Sequence, residues 1–275
     1  YLFDNLYIVR IFIILLLISF LMKISIITVT YNSEKTINDT IQSVLTQSYS
    51  NIEYIIIDGK SNDSTLEIIK EYLPLFNGRL KYISEKDSGI YDAMNKGIKL
   101  ASGDIIGIIN SDDFYKSNNV IASVANAFND NSIEVVFGNI QFVNPNNKTR
   151  IVRKYSGKGF RPWMFRWGIM PPHPSFFTRK SCYEKYGMYN STFNISGDYD
   201  LMVRFLLVKK LKYKYMDLDM VIMRLGGAST KSIRSLLINN NYNVIRACRE
   251  NGVYTNILMV SLRYIKKISE LIFKV

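Results

Sequence analysis

From residue 23 onward, the hydrophobic and polar positions alternate between two patterns. Continuous β-branched apolar runs are typical of buried strands, and apolar residues at helical spacing are typical of amphipathic helices. The strand-like segments are 23–30, 51–58, 80–84, 104–110 and 133–142. The helix-like segments are 33–45, 64–73, 89–101 and 118–128. This succession predicts an α/β fold with an open, mostly parallel sheet and helices on both faces.

The second half of the chain is less regular. Its segment 144–172 is rich in Arg, Lys, Gly, Pro and aromatic residues, and we interpret it as a loop and lid. The remaining segments predict a strand at 174–179, a helix at 198–208, a strand pair or strand plus loop at 212–224, and helices at 232–251 and 254–274. The last helix interleaves an apolar face with Arg263, Lys266, Lys267 and Lys274, a basic amphipathic pattern.

Three regions follow from this pattern. The apolar run before residue 23 is about a dozen residues long, whereas a membrane-spanning helix needs roughly 20. We therefore expect residues 1–21 to be an apolar extension with little role in the fold. Residues 22–225 are predicted to form the catalytic α/β domain, and residues 226–275 the basic amphipathic helices.

The net charge of +12 is unevenly distributed along the chain. Residues 1–145 carry −5, residues 146–199 carry +8 and residues 200–275 carry +9. A basic half of this kind favours an anionic partner, which leaves a phosphate, an anionic membrane surface or a nucleic acid. The two cysteines, Cys182 and Cys248, have no metal-binding or CxxC spacing, so we expect both to pack in the core of a protein from a reducing compartment.

Acidic and polar side chains collect where the predicted strands end. Asn110, Ser111, Asp112 and Asp113 follow the fourth strand directly. Two adjacent carboxylates repel each other, and a hard cation such as Mg²⁺ or Mn²⁺ relieves that repulsion. The sequence therefore predicts a metal site here, and a solvated acidic turn is the alternative.

Two further carboxylates have a similar placement. Asp58 ends the second strand, where it can accept hydrogen bonds from a base or ribose, and Asp63 is expected to cap the next helix. Asp198 begins a predicted helix, whose amino terminus favours a charged carboxylate that can act as a general base. We interpret Asp200 as an ordinary first-turn acid.

Five segments in order make the chain similar to the family-2 glycosyltransferases, which have the GT-A fold. The resemblance covers residues 23 to about 206, and its bacterial polysaccharide members are the nearest in pattern. The segments are SIITVTYN (25–32), IIDGKSNDST (56–65), EKDSGIYDAMNKGI (85–98), GDIIGIINSDD (103–113) and GDYDL (197–201).

The resemblance implies transfer of a sugar, with inversion, from a nucleotide-diphosphate donor, most simply a UDP-sugar, to a hydroxyl. Asp112 would hold the metal at the donor diphosphate with support from Asp113, and Asp198 would deprotonate the acceptor. The donor-binding residues it implies are Thr28, Thr30, Asp58, Asp92, Lys96, Ser111 and Asp112. The acceptor would be a lipid-linked or saccharide molecule of cell-surface polysaccharide synthesis. The protein would then lie in the cytoplasm, peripheral at the inner face of the membrane.

The chain departs from the family pattern in three places. Lys60 stands where many members have Gly, Asn110 where a fuller motif has Asp, and Gly197 where many have Glu. His173, the single histidine, lies in a proline-rich segment of the kind that precedes the base in this subgroup, so an acceptor- or phosphate-facing role and a structural role both stay open. The same holds for Arg161 and Trp163, which suit phosphate pairing and sugar stacking but also plain packing.

Other function classes fit less well. The first strand–helix turn lacks the GxGxxG of a dinucleotide-dependent oxidoreductase, and the chain has no P-loop. A nucleic-acid-binding protein would explain the basic half but not the acidic strand ends, so we expect no nucleic acid partner. A sugar nucleotidyltransferase would carry a Gly-rich basic segment near the first strand, and this sequence has none there. A non-catalytic glycan- or nucleotide-sugar-binding relative remains the alternative.

Overall fold

The computed structural model describes residues 22–145, 147–226 and 233–264, the last range with side chains from 240 onward. Nine strands in these ranges form one sheet with the order β3-β2-β1-β4-β8-β6-β9-β5, and β7 pairs with β6. The strands are β1 (Ile24–Thr30), β2 (Ile52–Asp58), β3 (Leu80–Ser84), β4 (Ile105–Ile108), β5 (Phe114–Tyr115), β6 (Val135–Asn144), β7 (Asn147–Tyr155), β8 (Phe177–Arg179) and β9 (Tyr213–Arg224).

The sheet has a parallel half and a mixed half. Strands β3, β2, β1 and β4 run parallel to one another, and β1 and β2 are buried along their whole lengths. Strand β8 runs antiparallel to β4 and β6, whereas β6 and β9 are parallel. Continuous apolar runs such as that of β2 suit a strand covered on both sides. The predicted α/β class and the open sheet are confirmed.

Helices cover both faces of the sheet. They are α1 (Ile37–Leu45), α2 (Thr65–Tyr72), α3 (Ile90–Leu100), α4 (Val120–Ala127), α5 (Lys180–Tyr186), α6 (Gly197–Met202), α7 (Ile233–Glu250) and α8 (Ile257–Ser261). One apolar core lies under α1, α2 and α4 and includes Ile41, Ile69 and Val124. The other lies under α3, α6 and α7 and includes Met94 and Leu201. Both cysteines are free and buried, as expected of packing residues.

Several local predictions were wrong. The segment 144–172 is more than a loop, because it contains β7 and a 3-10 helix, Pro162–Trp167. The segment 212–224 forms one long strand, β9, with β6 as its parallel neighbour. The helix expected at 198–208 ends at Met202 and continues as a π-helix, Val203–Val208.

The carboxyl-terminal region differs from the predicted basic amphipathic helix. Arg263 is buried, and its guanidinium donates hydrogen bonds to Asn241 and Tyr264 instead of facing outward. It is therefore wrong to count Arg263 among the surface cations. Lys266, Lys267, Lys274 and the extension 1–21 lie outside the described residues. Among the described helices, none has the length and apolar character needed to cross a membrane.

Candidate functional site

The carboxyl ends of β1, β2 and β4 form one side of the sheet, which we call the carboxyl edge and define by Thr30, Asp58, Ser111, Asp112 and Asp113. Parallel strands bring their carboxyl ends to the same side, and ligands of open α/β sheets bind there. The sequence predicted this gathering, because each residue follows a buried apolar run.

The two adjacent carboxylates differ in exposure. Asp112 is partly exposed, whereas Asp113 is fully buried and neither of its carboxylate oxygens has a hydrogen-bond partner. Burial raises the pKa of Asp113 well above its ordinary value, and the charge of Asp112 raises it further. Burial also raises the pKa of Asp112, partly opposed by the charges of Arg224 and His173. A cation at this edge would stabilise both charged forms.

Arg224 lies beneath this acidic pair and was not predicted. It ends β9, is 8% exposed, and its guanidinium donates hydrogen bonds to the Asp112 backbone carbonyl and to the Asp39 carboxylate. The guanidinium also stacks over the Phe114 ring, 5.0 Å from its centroid. Since α1 carries Asp39, Arg224 fixes the loop after β4 against that helix.

Asp58 is completely buried and already has partners. Its oxygens accept hydrogen bonds from the backbone N–H and hydroxyl of Ser61 and from the hydroxyl of Ser84. These bonds shape the loop after β2, in which Lys60 has a positive φ of 65°. Asp63 lies one residue before the cap position Ser64 of α2 and accepts the Thr65 backbone N–H at 3.0 Å, whereas the Ser64 side chain makes no capping bond.

The hydroxyl-bearing residues of β1 differ in their access to the edge. Thr28 is fully buried, with its hydroxyl 3.0 Å from that of Tyr54, so it lies within the core. The Thr30 hydroxyl is buried without a partner at the strand's end. Ser111 lies 2.8 Å from Ser33, hydroxyl to hydroxyl. Thr30 and Ser111 are therefore the better placed of the predicted donor contacts.

Asp92 and Lys96 lie on the exposed side of α3, in a cluster of acids. The Lys96 ammonium lies 2.7 Å from Asp87, 2.8 Å from Glu85 and 3.6 Å from Asp92. The hydrogen bonds that Lys96 donates to Asp87 and Glu85 raise its pKa. Asp92 also accepts the Ser88 backbone N–H at 3.0 Å. In this arrangement Lys96 stabilises the loop before α3, and its expected contact with a donor stays a prediction.

Asp198 lies at the start of α6 with a partner for each carboxylate oxygen. The Tyr91 hydroxyl donates to Oδ1 at 3.3 Å, and His173 Nδ1 lies 3.2 Å from Oδ2. The Asp198 side chain keeps 18% of its surface exposed and the His173 side chain 34%. This is the geometry of a fixed, accessible base.

Asp200 is turned inward, which separates its role from that of Asp198. It is 3% exposed, accepts a hydrogen bond from the Asn251 side chain at 2.7 Å and lies 3.7 Å from Arg204. Burial raises the pKa of Asp200, while the Arg204 charge lowers it. These contacts join α6 to the residue that follows α7, so the surroundings of Asp200 are those of a residue that stabilises the fold.

Arg161 and Trp163 lie apart from these contacts. Arg161 is exposed and donates to the Phe160 carbonyl at 3.0 Å, and Trp163 is 53% exposed with its ring edge-to-face against Trp167 at 6.3 Å. Neither residue is buried in the core, and the Trp163 side chain keeps about half of its surface covered. Their expected contacts with an acceptor or phosphate stay predictions.

The carboxyl edge suits a divalent cation in its chemistry. Asp112 and Asp113 supply oxygen ligands, and the unpartnered oxygens of Asp113 and of the Asn110 amide are polar atoms that lack a partner within the protein. In the described ranges, no three His, Cys, Asp or Glu side chains come together as a metal cage. A two-carboxylate site agrees with Mg²⁺ chemistry, in which water and substrate phosphates complete the coordination.

Tyr91 and Arg224 are the two site residues that sequence reasoning missed. Tyr91 lies inside the 85–98 segment, next to Asp92, and its ring lies on the buried face of α3. Arg224 ends β9 directly after the apolar stretch 220–223, and a cation in that place was a signal for a buried ion pair. Neither contact is visible from spacing, because the partners are more than 100 residues away in the chain.

Sequence comparisons agree with this geometry. The family model "Glycosyl transferase family 2" matches residues 25–192. An uncharacterized glycosyltransferase of Mycobacterium tuberculosis strain CDC 1551 is 30% identical over 190 residues, which is 67% of this chain and 69% of that protein. The Escherichia coli UDP-Glc:alpha-D-GlcNAc-diphosphoundecaprenol beta-1,3-glucosyltransferase WfgD is 34% identical over 125 residues, 45% of this chain and 48% of the relative.

Solved structures share the fold at low identity. The 1–349 fragment of Staphylococcus aureus TarS in complex with UDP has a TM-score of 0.59 at 18% identity, covering 84% of this chain and 65% of that one. The mannosyltransferase PcManGT of Pyrobaculum calidifontis, in complex with GDP-Man and Mn²⁺, has a TM-score of 0.59 at 14% identity, covering 83% and 64%. This chain thus spans less than two thirds of the length of each of these two solved chains. With the family model covering most of its sheet, this chain belongs to glycosyltransferase family 2 and has the GT-A fold.

Proposed function

We propose that this glycosyltransferase is a metal-dependent inverting enzyme that moves a sugar from a nucleotide-diphosphate donor, a UDP-sugar, to a hydroxyl of a lipid-linked or saccharide acceptor. The single observation that carries the proposal is the accessible Asp198 carboxylate, held between Tyr91 and His173 on the side of the sheet where Asp112 follows β4. UDP and UDP-GlcNAc complexes of TarS support a UDP donor, and the name of WfgD supports a lipid-diphosphate acceptor.

In the proposed reaction, Asp198 takes the proton from the acceptor hydroxyl. The acceptor oxygen then forms a bond to the anomeric carbon, and the bond from that carbon to the donor diphosphate breaks with its electron pair on the leaving oxygen. Inversion follows from a single displacement. The Tyr91 hydrogen bond and the His173 contact hold the Asp198 carboxylate in one orientation, and such positioning is a major part of catalysis.

A divalent cation is part of this proposal. Asp112 would hold Mg²⁺ or Mn²⁺ with support from Asp113, and the cation would stabilise the charge of the diphosphate leaving group. Burial raises the pKa of both carboxyl groups, and a bound cation would offset that cost by stabilising their charged forms. Thr30 and Ser111 are the hydroxyls beside it that a donor could bond.

A panel of UDP-, GDP- and dTDP-sugars with Mn²⁺ tests the proposal, with nucleotide release as the readout. We expect one donor class to react, and the reaction to stop in EDTA and resume when Mn²⁺ is restored. Full activity in the chelator would overturn the metal assignment. Donor binding without release, even with lipid-diphosphate and saccharide acceptors, would instead favour a non-catalytic sugar-nucleotide-binding relative.

We also propose that the protein works peripherally at the inner, anionic face of the membrane. Exposed apolar side chains around α8 support this, since Tyr254 is 70%, Ile257 58% and Leu258 72% exposed. The basic second half adds attraction to acidic lipid, worth about 1 kcal/mol for each cation near the surface. Apolar burial together with charge is how interfacial helices bind.

Liposome flotation tests this part. The chain from Met22 onward should float with anionic liposomes at low salt and release at high salt. The double change Ile257→Ser and Leu258→Ser should reduce flotation severalfold, whereas Leu75→Ser, at a 55% exposed leucine elsewhere, should leave it unchanged. If the chain from Met22 stays in solution with acidic lipid at low salt, the peripheral proposal is wrong.

A further inference from the structure

Asp198 is held from two sides by different parts of the chain. His173 comes from the 3-10 helix His173–Ser175 beside the sheet, and Tyr91 comes from the first turn of α3. Tyr91 is 7% exposed, so its hydroxyl bond to Asp198 lies mostly out of water. Burial and the negative charge of Asp198 raise the pKa of Tyr91, which keeps its phenol protonated and able to donate.

The Tyr91 ring also occupies the space beside Gly197. A Cβ added at Gly197 would lie 2.7–2.8 Å from three carbons of that ring, well inside the usual contact distance between carbon atoms. The position before Asp198 therefore has no room for a side chain while Tyr91 stays in place. Ser196, the next residue back, has a positive φ of 72°, so the chain turns sharply into α6 at this point.

The ring itself is fixed by its neighbours. It stacks on Tyr189 with centroids 5.6 Å apart and planes 15° from parallel. The Asn95 side chain, one turn further along α3, bonds both the backbone N–H and the carbonyl of Tyr189, at 2.9 and 2.8 Å. These contacts leave the Tyr91 hydroxyl little freedom to leave Asp198.

We infer that Tyr91 is a positioning residue for the base. Its hydroxyl orients Asp198 Oδ1 toward the reacting hydroxyl, and its ring replaces the side chain that Gly197 lacks. This inference rests on the proposed function of Asp198. The titratable groups that face Asp198 within the described residues are Tyr91, His173 and Tyr189. Only Tyr91 combines a hydrogen bond to the carboxylate with contact to Gly197.

Tyr91→Phe tests the hydroxyl, with nucleotide release from the best donor of the panel as the assay. Hydrogen bonds to a charged group contribute enough that kcat should fall about tenfold or more, while the KM for the donor stays the same. Because the lost bond favoured the charged carboxylate, the acid limb of the pH profile should move to higher pH by about one unit. Tyr183→Phe is the matched control, since it removes a buried phenol from the same aromatic cluster without touching Asp198.

Gly197→Ala tests the ring. It should lower kcat in the wild type and lower it less in a Tyr91→Ala background, which is the signature of two residues in contact. Thermal melting of each variant separates misfolding from misplacement of the base. A Tyr91→Phe enzyme with the kcat and pH profile of the wild type overturns the inference. Asp198→Asn, run in parallel, shows which idea has failed: if that variant stays active, the assignment of Asp198 as the base is wrong as well.

Discussion

Glu53 and Asp113 are both buried carboxylates of the same sheet, near opposite ends of its parallel strands, and their surroundings differ. Glu53 is the second residue of β2 and lies at what we call the amino edge, defined by Ser25, Glu53, Lys81 and Ser102. It accepts hydrogen bonds from the Ser25 hydroxyl, the Ser102 backbone and hydroxyl, and the Lys81 ammonium. At the carboxyl edge, both Asp113 oxygens have no partner.

The pKa values express the same contrast. At the amino edge, burial raises the pKa of Glu53, but the hydrogen bonds outweigh it and lower the pKa to about 2. At the carboxyl edge, burial and the Asp112 charge raise the pKa of Asp113 well above its usual range. The protein therefore provides hydrogen-bond partners for the Glu53 carboxylate at the amino edge, but leaves the Asp113 carboxylate at the carboxyl edge without them. Groups left unsatisfied by the fold are available to a ligand, and such local conflicts are typical of functional sites.

The largest expected effect is a loss of turnover when the proposed base, Asp198, is changed. Asp198→Asn should reduce turnover by about 10²–10⁴, the usual contribution of general acid–base catalysis, with donor binding nearly unchanged. Steady-state rates and UDP titrations of the variant measure both quantities. Asp200→Asn is the control in the same helix, and it should mainly lower stability. The reverse pattern would mean that Asp200 is the base.

The amino edge should affect stability instead. Glu53→Gln should lower the free energy of unfolding at pH 7 by about 2–3 kcal/mol, because the shift from 4.5 to about 2 corresponds to that order of stabilisation. A depressed pKa stabilises the fold above the unfolded value near 4.5. That contribution is lost as the pH falls from 4.5 toward 2.

Denaturant unfolding at several pH values measures this effect. The wild type should lose stability across that acid window more steeply than Glu53→Gln, and nucleotide release at neutral pH should be the same for both. If both proteins lose the same free energy of unfolding between pH 4.5 and 2, the hydrogen bonds of Glu53 do not stabilise the fold.

A smaller effect of opposite sign is expected at Asp113. Asp113→Asn removes a buried charge that has no hydrogen-bond partner, so the metal-free protein should keep or gain stability, by about 1 kcal/mol. Its metal-dependent activity should fall. Denaturant unfolding in EDTA checks the first statement. A loss of stability as large as that of Glu53→Gln would remove the contrast between the two edges.

Residues 23–128 were the most predictable part of the fold. Strands β1 and β2 are buried on both faces and α1 has one apolar face, so the periodicity of the sequence corresponds directly to burial. Strand β7 was missed because it pairs on one side only and is mostly exposed, which gives it Lys and Arg residues in place of an apolar run. The environment of Arg263 depends on a partner in another helix, Asn241, and no local pattern encodes it.

The site likewise has a part that the sequence predicts and a part that it does not. The acids at the ends of strands follow from chain order, since parallel strands bring Asp58 and Asp112 to one edge. The contact of Tyr91 with Asp198 joins α3 to α6 across 107 residues of the chain. The sequence around Gly197 also does not indicate that the Tyr91 ring occupies the space where a side chain would lie. Such contacts depend on the packing of whole elements.

A thermal-shift measurement with UDP and Mn²⁺ tests the central claim most directly, namely that the carboxyl edge binds the donor through Asp112 while the amino edge only stabilises the fold. Ligand binding at saturating concentration should raise the Tm of the wild type and of Glu53→Gln by similar amounts, about 3 °C or more. Asp112→Asn should show little shift. An equal shift in Asp112→Asn, or none in Glu53→Gln, would contradict the account.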